Sequence, residues 1–508
     1  MEHPSHDFNE VLAEQLRRAP YLIASMVLHA GVALVIAGFL LLKTEETETP
    51  VIVMTPPPPP PKIEDPPPPP PDDPIVQPEP TDVELVPTDV IQNADPTDLN
   101  PDATDSPNEN VFDAVFTGSN VAGIGGPPGG PMGKRGGGGG GGSKTEAAVQ
   151  AGLRWLRDHQ SPDGFWDADE FMYYDKYPDA APSTGAGSPS NDVGLTGLAL
   201  LAFLGNNHST QNGEYRQQVA DGINWLKSVQ DSRSGLYGEE VGNATLYNHA
   251  IATMAVGEAQ YMVRNPIRAR ELQKATSLIL NAQNPYNAWR YTLDPNGDND
   301  SSITGWMVFA LKTADEAGAQ VPKDTFRGAL DFLDAMTDQG TGRTGYAMGD
   351  GGGPGGRPSR IKAYIERFPP EASEALTAVS LLCREFLTDT NEVRRWKDHE
   401  NYALLKKQAD LIAACPPVWD EEGGTCDMYY WYYATFAMNQ WGGSHWKNWK
   451  KAIESAVLSN QHQGKDNFTG SWDPVGPWGE DGGRVYSTAI CTLILEVYYR
   501  YAQVLGAR

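Results

Sequence analysis

The chain has 508 residues, with 41 Pro, 53 Gly, 4 Cys and a formal net charge of −27. That acidity argues against a nucleic-acid partner, because phosphate contacts need clustered Lys and Arg. Four cysteines make no disulfide scaffold, and neither a Cys-x-x-Cys nor a His-Glu-x-x-His run is present. Twenty of the 41 prolines fall between Pro50 and Pro107, and a dense glycine block lies between Gly123 and Gly142. Both stretches are too biased to build a core, which leaves one large body over residues 144–508.

Residues 1–20 read as a cytoplasmic tail. Residues 21–42, YLIASMVLHAGVALVIAGFLLL, hold no formal charge. As a helix they span ~33 Å at ~1.5 Å per residue, which matches a ~30 Å hydrocarbon core. The run ends in Lys43-Thr44-Glu45-Glu46 with no small-x-small cleavage pattern, so it reads as an uncleaved anchor. Arg17 and Arg18 on one flank and Glu45, Glu46 and Glu48 on the other place the N-terminus in the cytoplasm. The expected location is therefore single-pass in the inner membrane, with the body in the periplasm. Ser25 and His29 are four apart and share a helix face, and an ionisable side chain at membrane depth marks function.

Residues 43–143 read as a disordered linker, Pro-rich and acidic, then Gly-rich. Two runs of six prolines, 56–61 and 66–71, favour stiff polyproline II helix. Between Thr44 and Gly133 there are 17 Asp/Glu against one basic residue, Lys62, so self-repulsion extends the segment further. Glycines 136–142 make a flexible joint.

The stretch Arg17-Arg18-Ala19-Pro20, then Ser25-x-x-x-His29-Ala30-Gly31, then a proline-rich spacer, resembles the N-terminal anchor of TonB-type energy transducers. The resemblance covers about the first 110 residues. It implies that Ser25 and His29 form a transmembrane coupling site for a proton-driven motor of the ExbB/ExbD kind. No TonB-like C-terminal receptor-binding domain follows.

The body carries a repeat. Ala151-Gly152-Leu153-Arg154-Trp155-Leu156 leads to Gln160 and Asp163-Gly164-Phe165-Trp166. Asp221-Gly222-Ile223-Asn224-Trp225-Leu226 leads to Gln230 and Gly235-Leu236-Tyr237. Residues 278–283 precede Trp289, residues 329–333 precede Gly345-Tyr346, and residues 452–461 precede Gly470-Ser471-Trp472. A weaker copy covers 402–414. Each copy reads as an amphipathic helix closed by a Gln and a Gly-aromatic turn. A more apolar helix follows each one, over 193–204, 247–261, 303–317, 373–387, 428–441 and 485–504. A helix apolar nearly all round is buried. The expected fold class is all-α: an (α/α)6 toroid, six buried helices ringed by six amphipathic ones.

These turns and this pairing resemble the α/α-toroid superfamily of squalene–hopene cyclases and protein prenyltransferase β subunits. Within each turn, Gln is expected to cap the helix end and the aromatic ring to tie the outer helix to its own loop. In a double ring the inner helices begin at one mouth, where dipole ends favour a polar or anionic ligand. Candidate mouth residues are Asp192, Asn248, His249, Thr304, Glu374, Tyr430 and Ser487, although capping alone accounts for many such residues at helix starts.

Terpenoid cyclases protonate an alkene from the middle Asp of an Asp-x-Asp-Asp signature. By that resemblance Asp298 and Asp300 are the candidate catalytic residues, in Asp298-Asn299-Asp300-Ser301, where Ser301 stands in place of the last Asp. The same segment also reads as a plain polar turn. The aromatic run 428–433 can supply only one or two rings to a lumen, because consecutive helical positions point all round. Prenyltransferase β subunits hold zinc through Asp, Cys and His; here the Asp-x-Cys order is absent, so neither metal nor cofactor is expected. In a periplasmic body Cys415 and Cys426 are the most plausible disulfide pair, with Cys383 and Cys491 as buried thiols.

Three readings stay open at this point. One is a binding module on a membrane tether, taking a peptide, glycan or isoprenoid ligand. The second is a terpenoid cyclase or prenyltransferase-type enzyme using an Asp acid near 298–300. The third is a motor-linked transducer with the toroid as its output domain.

Overall fold

A computed structural model describes residues 143–497 and Leu505, apart from 285–287, 347–354, 360–361 and 390–391. The proposed membrane helix, Ser25, His29 and the linker lie outside the described residues. Among the described residues no helix is long and apolar enough to cross a membrane.

The described residues form thirteen helices and no strand. They are α1 Ser143–Asp158, α2 Asp192–Gly205, α3 Arg216–Ser228, α4 Ala244–Met262, α5 Pro266–Asn281, α6 Ser301–Glu316 and α7 Lys323–Ala335. The short α8 Lys362–Arg367 is followed by α9 Ala375–Phe386, α10 Tyr402–Ala414, α11 Met428–Trp441, α12 Gly443–Leu458 and α13 Gly479–Leu495. The apolar helices α2, α4, α6, α9, α11 and α13 each pack on the next, and α13 returns to α2. The amphipathic helices α1, α3, α5, α7, α10 and α12 lie outside them. This is an α/α toroid.

Composition sorts the two layers. In α2 (DVGLTGLALLAFLG) every residue from Gly194 to Gly205 is buried. In α1 the buried positions Val149, Leu153 and Leu156 recur at helical spacing while Lys144 and Arg154 face water. Small residues let the inner helices approach. A Cβ on Gly197 would stand 2.9 Å from Ile251 Cγ2 in α4, and one on Gly305 would stand 2.5 Å from Val379 Cγ1 in α9.

The turns do more than seal their own loops. Trp166 Nε1 donates back to Leu156 O (2.7 Å), Trp289 Nε1 to Ile279 O (2.8 Å) and Trp472 Nε1 to Val457 O (2.7 Å). This is the expected tie. The glutamines, however, also reach the next outer helix. Gln160 Nε2 donates to Gly164 O (2.7 Å) and to Gln218 O of α3 (3.0 Å). Gln230 Nε2 donates to Gly235 O (3.1 Å) and to Glu271 O of α5 (3.0 Å). Gln283 Nε2 reaches Thr325 O of α7 (3.4 Å).

The fourth copy has Thr337 where a Gln is expected, and the clamp is reversed. Gln408 of α10 reaches back to Thr344 Oγ1 (3.2 Å). The fifth, weaker copy joins α10 to α12 through Asp410 and His445 Nε2 (2.8 Å). The sixth closes the ring: Gln461 Nε2 donates to Gly470 O (2.8 Å) and to Ala148 O of α1 (2.9 Å). Gly470 sits at φ +96°, and a Cβ there would lie 2.3 Å from Ala151 O. Only glycine allows both that backbone and that approach.

All four cysteines are free thiols, so the expected Cys415–Cys426 disulfide is not formed. The two face different neighbours. Cys415 ends α10 in the field of Arg343 and Glu374, whereas Cys426 is fully buried beside the Asp420 segment. Cys383 and Cys491 are buried in α9 and α13, as their apolar surroundings imply.

The Gln461→Ala change should lower full-chain stability by about 1–3 kcal/mol for an acceptor left unpaired. It should cost more than Gln283→Ala, whose bond across the joint to Thr325 O is longer, at 3.4 Å. Urea denaturation in detergent compares them, and equal losses would show that closure is not held at Gln461.

Candidate functional site

The centre of the ring is filled by side chains. Trp306 of α6 stacks on Tyr432 at 5.8 Å between ring centres and meets Tyr433 edge-on at 5.5 Å. Phe309 stacks on Tyr433 (5.5 Å) and meets Phe386 of α9 edge-on (5.5 Å). A cavity of about 130 Å³ opens toward the N-terminal ends of the inner helices. Its aromatic wall is Tyr247, Trp306, Tyr429, Trp478 and Tyr486. Leu195, Leu198 and Ile251 extend the apolar surface, and Asn191, Asn243, Asn248, Arg357 and Asp481 supply polar groups.

Asp298 and Asp300 do not line this cavity. Asp300 caps α6: its Oδ1 accepts from Ile303 N (2.9 Å) and from Ser302 Oγ (2.7 Å). Its Oδ2 pairs with Arg290 Nη1 at 3.2 Å, and Asp298 pairs with Arg290 Nε at 3.2 Å. Asp300 is fully buried, with both carboxylate oxygens engaged. It reaches the cavity wall indirectly, because Tyr247 O–H donates to Ser302 Oγ (2.6 Å) and Ser302 in turn donates to Asp300.

Of the seven candidate mouth residues, the structure brings Asn248 to the cavity and turns the other six toward their neighbouring elements. In five repeats the backbone N–H of the turn is received by a side chain of the following inner helix. Trp166 N donates to Thr196 Oγ1 (3.0 Å), Tyr237 N to His249 Nδ1 (3.1 Å) and Trp289 N to Thr304 Oγ1 (3.4 Å). Thr344 N donates to Thr377 Oγ1 (3.3 Å) and Trp472 N to Thr488 Oγ1 (3.4 Å). His249 and Thr304 therefore hold one bracketing position of the repeat. Ser487 Oγ likewise donates to Trp472 O (2.6 Å).

Glu374 pairs with Arg343 and accepts from Thr377 Oγ1 (2.7 Å). Tyr430 points outward, its hydroxyl donating to Cys415 O (2.9 Å) at the end of α10. Asp192 accepts from Ala168 N (2.9 Å) and gathers with Asp167 and Asp169, their carboxylate oxygens within 4.8 Å of one another. These three could jointly face a cation. Burial, with Asp167, Asp169 and Glu170 nearby, pushes the Asp192 carboxyl up to about 7, so proton uptake relieves the same repulsion.

Arg357 and Trp478 were missed by sequence reasoning. Arg357 lies in a Gly- and Pro-rich segment (GGPGGRPSR) that shows no periodicity. Its guanidinium stands 4.9 Å from the ring centre of Trp478, 5.2 Å from Tyr247 and 5.6 Å from Tyr291. The one available signal was a single cation flanked by glycine and proline. Of the five aromatics in residues 429–433, only Tyr429 reaches the cavity, as helical geometry requires.

No family model matches the chain. A squalene–hopene cyclase of Bradyrhizobium diazoefficiens is 27% identical over 184 residues, which cover 34% of this chain and 26% of the relative. A probable squalene–hopene cyclase of Sinorhizobium fredii is 26% identical over 209 residues, 38% of this chain and 30% of the relative. The matched stretch thus spans less than a third of these relatives. A type II terpene cyclase from Scytonema overlays with a TM-score of 0.44 at 11% identity, covering 71% of this chain and 98% of that one. An α-1,6-mannanase of Salegentibacter overlays at 0.46 and 9% identity, covering 70% and 99%. The chain is similar to squalene–hopene cyclases in part of its sequence, and its fold is a toroid.

Burial pushes His249 down from the ordinary 6.5 to about 4. Above pH 6.5 both folded and unfolded chains hold it neutral. Between 6.5 and 4 the unfolded chain takes a proton that the folded one refuses, so stability is lost as pH falls, by on the order of 3 kcal/mol. The stability advantage over His249→Gln should therefore grow from pH 4 to 6.5 and be flat above. Denaturation of both proteins across that range checks it, and taking the difference cancels the opposite contribution of Asp192.

Proposed function

We propose that this protein is a ligand-binding toroid, anchored in the inner membrane and held in the periplasm on its proline-rich tether. The size of the cavity carries the binding part of this reading. An enclosed water-sized group needs about 10–15 Å³, so 130 Å³ holds a ligand of roughly ten non-hydrogen atoms. Ligand pockets for larger molecules run to about 300–1,000 Å³. A long polyprenyl chain finds no room below the cavity, where Trp306, Phe309, Tyr432 and Tyr433 occupy the space. The engaged oxygens of Asp300 point the same way. The hydrophobic run at 21–42 and the acidic proline spacer support the anchor, and the Ser25/His29 face supports contact with an ExbB/ExbD-like motor.

A cyclase-type enzyme is the second reading. The hydrogen-bond path from Asp300 through Ser302 to Tyr247 favours it, since it links a carboxylate to the cavity wall. Partial similarity to squalene–hopene cyclases points in the same direction.

Native mass spectrometry on the full chain, purified from its own cells in detergent, separates the two. The binding reading expects a co-purifying small molecule that is lost in Tyr429→Ala and in the cavity-filling Ile251→Trp. It also expects no cyclised product from squalene or geranylgeranyl substrates. Cyclised product that disappears with Asp300→Asn would overturn it in favour of the enzyme.

A further inference from the structure

Arg357 lines the cavity and forms no ion pair among the described residues. Its guanidinium is held against the faces of Tyr247, Tyr291 and Trp478. Ring faces attract a cation and offset part of its lost hydration, at about 0.5–2 kcal/mol each. They accept none of its five N–H donors in the plane of the guanidinium. The buried Nε has no hydrogen-bond partner among the described residues. Asp300, whose field it feels, is already paired with Arg290 at 3.2 Å. The buried hydroxyl of Tyr486, another wall residue, also has no partner among the described residues. A buried donor left unmade costs about 1–3 kcal/mol, more when it is charged, and a site is where that cost is tolerated.

The rest of the wall constrains the ligand. Arg357 supplies the positive charge of the lining and Asp481 the negative one. A single carboxylate is met by one guanidinium, in the two-pronged geometry that Arg favours. A doubly charged group would be left under-compensated. Tyr247 donates to Ser302 Oγ and so keeps a lone pair free to accept. Asn248 Nδ2 donates to Ser190 O (2.6 Å), which leaves its carbonyl oxygen as an acceptor. Asn243 adds a further amide to the wall. A plain hydrocarbon ring would bury these groups unpaired. Hydroxyls on a ring of about ten heavy atoms would pair them while the ring itself lies against the aromatic wall.

We infer that the cavity takes a sugar acid of single-ring size, its carboxylate on Arg357 and Tyr486 and its hydroxyls on the asparagine and tyrosine groups. This rests on the reading of the cavity as a ligand site and adds the class of ligand.

Isothermal titration of the full chain in detergent tests it with three probes: glucuronate, glucose and benzoate. Glucuronate should bind at least tenfold more tightly than glucose, and more weakly as salt rises. Arg357→Gln should remove that preference, and Tyr486→Phe should reduce glucuronate affinity several-fold. Thermal melts establish that each variant is folded. If Arg357→Gln does not fold, Tyr486→Phe and the salt dependence decide the matter. Equal binding of glucose and glucuronate overturns the role of charge but leaves the cavity as a ligand site. Benzoate binding as tightly as glucuronate overturns the hydroxylated ring. If none of the probes binds while a co-purifying ligand is still lost in Tyr429→Ala, the sugar-acid class is overturned and the cavity reading stands. No probe and no co-purifying ligand would overturn both.

Discussion

The architecture depends on a side-chain amide that bridges two repeats. A helix pair of this kind cannot bury both faces of its inner member alone, so each pair needs its neighbours. Gln160, Gln230, Gln283 and Gln461 meet that need locally, donating from the end of one outer helix to the backbone of the next. A glutamine suits the task because its amide carries two donors on a stem long enough to cross the joint. Where the Gln is missing, Gln408 crosses from the other side and Asp410–His445 substitutes at the surface. The joint is kept while its chemistry changes.

Once the ring is fixed, its centre is a packing problem. Six apolar helices around an axis leave a core that must be either filled or used. Here it is mostly filled, by aromatic residues of α6 and α11, and the residual space is pushed to the mouth. That displacement explains why the polar groups of the cavity wall come from helix starts and from loops. Arg357 and Trp478 enter from connections, where scaffolds commonly place their binding groups.

The layers were legible in the sequence because each has its own period and composition. Inner helices expected at 193–204 and 428–441 are found at Asp192–Gly205 and Met428–Trp441. The last inner helix was expected from Val485, and the structure agrees: Gly483, at φ 63° and ψ −164°, breaks α13 into a short leading turn and the inner helix proper that follows it. The mouth residues were harder. A polar residue in the first turn of a buried helix can point inward to a ligand or outward to the preceding turn, and spacing alone does not separate the two. His249 and Thr304 point outward because the turn N–H groups of Tyr237 and Trp289 require an acceptor. Asn248, one position before His249, points inward. The direction of Arg357 was illegible for a different reason: a loop cation has no periodic neighbours to fix its side.

Joining the last outer helix to the first has a consequence for how the toroid comes apart. Linear stacks of repeats fray from their termini, where the outermost unit has lost one neighbour, and they need specialised end units to prevent it. A circle has no outermost unit. Cutting any one of its six joints creates two exposed edges at once, so damage to a single linkage is felt at sites far from it along the chain.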